Sequence, residues 1–264
     1  MTLDFTQQLA RQRAQDARQR LAAAQQRATQ INLELRNQLD EARRYQDPDL
    51  TAEGLRKRQE QMAATARDVA SRKLAELKQD VETATAQVRS WADPLRPKVG
   101  DDAASLMRLQ FAWDRARMLL ESGRTVPEVL VNADADVALA VREWGPDWVR
   151  AQTPRAQGMA RTLQEEPDTS GLVRSAEARL AEVLGGQSAA AIEALRDVDV
   201  VQASLVPTVA FIDRQVSGVP ADNRALMSAA LESRFAAQEA VRGFQQPAAT
   251  DVQDHAASAA GQER

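Results

Sequence analysis

A 3.5-residue apolar repeat runs almost unbroken through the first 45 residues of the chain. Stepping alternately by four and three from Leu3 gives Gln7, Ala10, Ala14, Ala17, Leu21, Ala24, Ala28, Ile31, Leu35, Gln38, Ala42 and Tyr45. Only Gln7 and Gln38 interrupt the apolar line. A sustained repeat of this period marks a helix that packs along its whole length against another helix. Long paired helices act as levers, spacers or assembly surfaces more often than as walls of an active site.

The partner helix follows directly. Asp47-Pro48-Asp49 ends the first helix, expected over 6–46, because Pro48 has no N–H for the ladder and restricts the residue before it. Thr51 is placed as an N-cap, with Glu53 favourable to the helix dipole. The second helix is expected to run to Trp91. Its seam is ragged at Leu55 and Met62, then settles into Ala70, Leu74, Leu77, Val81, Ala84, Val88 and Trp91. Two helices of about 40 residues joined by so short a turn lie antiparallel, as a hairpin roughly 60 Å long. The residues expected to hold it together are Leu21, Ile31, Leu35, Leu74, Leu77, Val81 and Val88. Alanine buries little area per contact, so the N-terminal half of the seam is the weaker half. It is therefore expected to fray unless another chain or domain covers it, and a second copy is the expected cover, so that the protein oligomerises through the hairpin.

Beyond Asp93-Pro94, Pro97 and Gly100 the elements shorten. Gly123, Gly145, Gly185-Gly186 and Gly218 read as stops, and Pro127, Pro146 and Pro154 as first-turn prolines. They divide the chain into helices at 102–121, a short one at Pro127, then 135–144, 146–152, 154–166, 171–184, 188–198, 208–217 and 221–243. The β-branched run Val198, Val200, Val201 is compatible with a short strand, but no partner run stands out. From Pro247 onward the sequence has almost nothing to bury, and disorder is expected there. The expected organisation is all-α: a coiled-coil hairpin at 1–92, a compact multi-helix domain at 93–246, and a disordered tail at 247–264.

All four tryptophans fall between positions 91 and 148. They are the largest side chains available to a core, so Trp91, Trp113, Trp144 and Trp148 are expected to nucleate the compact domain. The competing reading has Trp144 and Trp148, on either side of Gly145-Pro146, as an exposed docking pair.

Residue types restrict the chemistry. The chain has no Cys and a single His, His255 in the expected tail, so thiol catalysis, a Ser-His-Asp triad and zinc fingers have no residues to work with in one chain. No Gly-x-x-x-x-Gly-Lys or Gly-x-Gly-x-x-Gly loop occurs. No catalytic residue, cofactor or metal site is expected, and the chain reads as a non-enzyme. Asn132, Asp134, Asp136 and Glu143 match positions 1, 3, 5 and 12 of a calcium loop. Val137 stands where that loop needs Gly, so Asn132 and Asp134 read better as caps of the next helix.

Arg56-Lys57-Arg58 is a basic cluster near the hairpin tip, but Asp47, Asp49, Glu53 and Glu60 surround it and the formal net charge is −4. Nucleic acid is therefore not an expected partner. Residues 200–212, the most apolar stretch, are interrupted by Gln202, Ser204, Pro207 and Thr208 and are too few to span a bilayer. The opening Met1-Thr2-Leu3-Asp4-Phe5 lacks a signal-peptide layout. No membrane partner and a cytoplasmic location are expected.

Three features carry a resemblance: the Arg/Gln/Ala-rich hairpin, the tip from Asp47-Pro48-Asp49-Leu50 to Leu55, and the stretch from Trp113 through Gly123 to Val126-Pro127. On these the first 150 residues or so resemble uncharacterised coiled-coil structural and scaffolding-type proteins, encoded among the capsid and tail genes of actinobacterial tailed phages and prophages. The resemblance implies a scaffolding or minor structural role in virion assembly, self-association, capsid or other virion proteins as partners, and a place in the host cytoplasm or the virion. The chain differs from phage scaffolds in lacking a strongly basic terminal helix. A helical coat on a hydrophobic surface and a dimeric DNA-associated regulator are the alternatives.

Overall fold

The computed structural model describes residues 5–152, 168–219 and 223–243, and every regular element in them is an α-helix. The elements are α1 (Phe5–Arg44), α2 (Ala52–Ala92), α3 (Ala103–Glu121), α4 (Val126–Val131), α5 (Ala135–Gln152), α6 (Ser170–Leu184), α7 (Gly186–Val216) and α8 (Asn223–Val241). The expected helix at 154–166 and the expected tail at 247–264 lie outside the described residues.

Both long helices form where the heptads place them. Between them the Asp49 N–H donates to Asp47 Oδ1 at 3.0 Å, and Thr51 Oγ1 accepts from the Gly54 N–H at 3.2 Å as the N-cap of α2. The side-chain amide of Gln59 then donates back to the Tyr45 carbonyl at 2.9 Å, satisfying an orphan acceptor just past the end of α1.

Two pairs of expected short helices are single continuous ones. Helix α5 runs through Gly145-Pro146, and α7 runs through Pro207 for 31 residues. Each proline removes one ladder hydrogen bond, but neighbouring turns and tertiary contacts carry the helix past it. The Val198–Val201 run lies inside α7, where Val198 and Val201 pack on the other helices of the unit; propensity yields to packing there.

The chain divides into two compact units, one holding α1, α2, α7 and α8, the other α3 to α6. This departs from the expected division at 92/93. Helices α7 and α8 join the hairpin rather than the helices that precede them, with the second boundary at Leu184/Gly185. Gly185 and Gly186, both at φ +60°, make that turn in a conformation that side-chain-bearing residues rarely adopt.

In the first unit α7 lies in the groove between α1 and α2. It runs parallel to α1, since Arg18 meets Asp197, Gln25 meets Thr208 at 3.1 Å, and Asn32 meets Gln215 at 2.8 Å. It is antiparallel to α2, with Gln202 on Thr85 at 3.3 Å and Lys78 on Asp213 at 2.8 Å. Ala17 and Leu21 of α1, Ala84 and Val88 of α2, and Ala194 and Val198 of α7 form one apolar cluster, with Trp91 packed against it. A second cluster joins Ala24, Ala28, Ile31, Leu35, Ala66, Ala70, Leu74 and Leu77 to Leu205 and Ile212. The weak alanine half of the seam is thus covered by the chain's own α7. Small side chains leave a shallow groove, which lets a third helix approach closely and recover burial that two helices alone would lack.

Helix α8 packs back on α7. The Ser233 hydroxyl donates to the Ser204 carbonyl, next to the Ala203 carbonyl that Pro207 leaves without its ladder donor.

Among the described residues of the second unit every helix start has a side-chain acceptor, Asp168 taking the Ser170 N–H at 2.8 Å where α6 begins. Asp102 caps α3 through the Ser105 N–H at 2.9 Å, and Thr125 with Glu128 forms a reciprocal capping box on α4. Asp134 caps α5 through the Val137 N–H at 2.8 Å. Helices α5 and α6 meet at Gly145, where a Cβ would lie 2.8 Å from a Leu172 methyl. That glycine serves close approach rather than helix termination.

Candidate interaction surface

The seam residues singled out from the heptads are core residues. Leu21, Ile31, Leu35, Leu74, Leu77 and Val88 are buried and Val81 is partly buried, all within one chain. They hold the first unit together and are not on display to a partner.

Trp144 and Trp148 are both half-buried. The Trp144 ring meets Trp113 edge-on, with centroids 6.2 Å apart and planes at 63°, a favourable quadrupolar arrangement. Among the described residues of this unit the exposed aromatic is instead Phe111, 63% exposed on α3. Met107 and Met118 lie on the same face, four residues before it and seven after, and both are also more than half exposed. The opposite face of α3 supplies Leu109, Ala112, Ala116 and Leu120 to the core. A helix with apolar rows on two faces was readable in the sequence as Met107-x3-Phe111-x6-Met118, but periodicity does not say which row is inside.

A second exposed row lies on α8: Met227, Leu231 and Phe235, spaced by four. The buried positions of this helix are Ala229 and Ser233. Spacing of i, i+4, i+8 puts all three on one ridge of the helix surface.

Many charged residues pair with one another within their own unit. Arg56 bridges to Glu60 at 3.2 Å and Lys57 to Glu53 at 2.8 Å, so two of the three cations in the tip cluster have carboxylate partners one turn away. The calcium-like spacing is used otherwise. Asn132 is the C-cap of α4, Asp134 caps α5 and bridges to Arg115 at 3.1 Å, and Glu143 pairs with Arg142 at 2.6 Å. Among the described residues five carboxylates are held below the usual carboxylate range by what they accept. For Glu34 the main cause is Lys73, at 2.5 Å, and for Asp102 and Asp168 it is the side chains of Ser105 and Ser170. For Glu128 and Asp134 it is the backbone N–H groups of Thr125 and Val137. Four of these five sit in the second unit.

Amide and hydroxyl contacts tie the helices of the first unit in register. Thr85–Gln202, Gln25–Thr208, Gln25–Ser233 and Asn32–Gln215 form polar rungs along the bundle. Among the described residues no group of three His, Asp or Glu side chains is gathered, and no helix is long and apolar enough to cross a membrane.

The chain matches no family model, no curated protein and no solved structure.

Proposed function

We propose that this chain is a non-enzymatic structural or assembly protein that docks other protein chains through exposed helix faces. The role that fits the sequence resemblance is virion morphogenesis in a tailed phage, as a scaffold or minor structural component working in the host cytoplasm. The observation that carries the reading is the Met107–Phe111–Met118 row, an apolar stripe left in water on a helix whose other face is already filled. Stripes of this kind on folded proteins mark interaction sites. The route to assembly differs from the hairpin pairing expected at the level of sequence, because α7 occupies the seam that a second hairpin would need.

Co-expression with the major capsid protein of the same phage genome tests the reading. The chain is expected to sediment with shells or their precursors, and Phe111→Glu is expected to release it while leaving helicity and melting unchanged. A chain that stays at the top of the gradient whenever shells form overturns the virion role. A Phe111→Glu variant that co-sediments like the wild type removes the α3 row from it.

A further inference from the structure

We propose that α8 is a self-association face, through which two copies pair antiparallel about a twofold axis at Leu231. The proposal rests on the assembly reading and names a second copy of this chain as one of the partners.

Met227, Leu231 and Phe235 are 49–61% exposed and form a single i, i+4, i+8 ridge. Two such ridges can meet along their length when the helices lie nearly antiparallel, the shallow-angle geometry of helical bundles. A twofold contact must be self-complementary: if residue i meets residue j, then j meets i. Antiparallel pairing about Leu231 satisfies this, because Met227 and Phe235 are equally spaced on either side of it. Each methionine then faces the partner's phenylalanine, and Leu231 meets its own copy.

Charge selects the direction. Arg224 lies seven residues before Leu231 and Glu239 eight after, near the two ends of the ridge, and both are exposed. In the antiparallel arrangement each arginine comes opposite the partner's Glu239, once at each end. A parallel arrangement would set Arg224 against Arg224 and Glu239 against Glu239. Glu239 already bridges to Arg242 at 3.0 Å, an exposed pair of the kind that contributes little and exchanges readily. A lipid surface is a poorer fit. Such helices carry a Lys/Arg-rich polar face, whereas Arg224, Arg234 and Arg242 are offset here by Glu232 and Glu239. Three side chains offer far less than the roughly 800 Å² per partner of a stable dimer, so the pairing is weak and concentration-dependent, as suits a reversible assembly contact.

Sedimentation equilibrium of the full chain, from about 10 μM to about 1 mM, tests this. The average mass is expected to rise from 28.9 kDa towards twice that value. Leu231→Arg should hold it at the monomer with unchanged helicity, since the position is exposed. Arg224→Glu and Glu239→Arg should each weaken association severalfold, and the double reversal should restore it. A monomer throughout overturns the proposal, as does vesicle flotation on phosphatidylglycerol that depends on Leu231 in a chain that stays monomeric. Self-association untouched by Leu231→Arg also overturns it, yet leaves the assembly reading standing, as does a monomer that still sediments with capsid shells.

Discussion

Gln215 donates its side-chain amide to Asn32 Oδ1 at 2.8 Å across 183 residues of sequence, and both side chains are buried, at 5% and 8% exposure. This amide pair joins α7 to α1 beside the apolar cluster of Leu35, Leu205 and Ile212. A buried polar pair in a helical core adds less stability than hydrophobes of the same size would, but it penalises every other register.

Removing one half of that pair should therefore cost more than removing both. Asn32→Leu leaves the Gln215 amide buried without its acceptor, at about 1–3 kcal/mol. Adding Gln215→Leu should recover most of the loss. Urea unfolding of the two single variants and the double variant measures the coupling, and additive losses would show that the two amides do not depend on each other.

Val198 is fully buried against the alanine half of the hairpin seam. Val198→Asp places an uncompensated charge there, at a cost of several kcal/mol, about 3–5. Its distinguishing effect is local: amide exchange of Ala14 through Leu21 should accelerate more than that of Ile31 through Leu35. Equal acceleration at both ends would mean that α7 does not support the seam segment by segment.

Within the hairpin, Leu35→Asp and Leu77→Asp should each unfold the first unit, since both side chains are 1% exposed. Gln38→Asp should be nearly silent, because this seam break is exposed. Circular dichroism at 222 nm during thermal melts distinguishes them, and three superimposable melts would refute the heptad assignment.

Gly145→Ala should destabilise the second unit by about 1–3 kcal/mol, although alanine favours helix. The new methyl would sit 2.8 Å from a Leu172 methyl that is itself fully buried. Leu172→Ala in the same chain should relieve the clash, so the double variant should lose less than the sum of the two single losses.

Acid should strike the second unit first. Asp102, Glu128, Asp134 and Asp168 all have pKa values lowered in the folded state, chiefly by hydrogen bonds at helix starts. A lowered folded pKa contributes stability that is present above the unfolded value, near about pH 4, and is lost as pH falls through the folded value. Trp113, Trp144 and Trp148 report on this unit, while the 40- and 41-residue helices of the other dominate the far-ultraviolet signal. In a Trp91→Phe background, which removes the one tryptophan of the first unit, fluorescence should therefore change at a higher pH than ellipticity does. Coincident transitions would show that the four caps carry no special share.

Apolar spacing and local helix signals by themselves determined the all-α class, the hairpin of α1 and α2, its turn at Asp47–Thr51, and the identity of the buried seam. These are local properties: a 3.5-residue period names the face that must leave water, and Pro48 and Thr51 act on their own turn. The Gly185-Gly186 break was legible for the same reason. What covers the seam was not legible, because the same alanine stripe accepts a helix from another copy or from 179–183 residues downstream. Only the tertiary structure placed α7 in that groove, kept α5 and α7 helical through Pro146 and Pro207, and turned Gly145 from a stop into a contact. It also decided that Trp144 packs on Trp113 while Phe111 and the Met227–Phe235 ridge stay in water. Apolar residues on two faces of one helix are equivalent until long-range packing chooses between them, and that choice depends on the shape of the neighbouring helices rather than on local spacing.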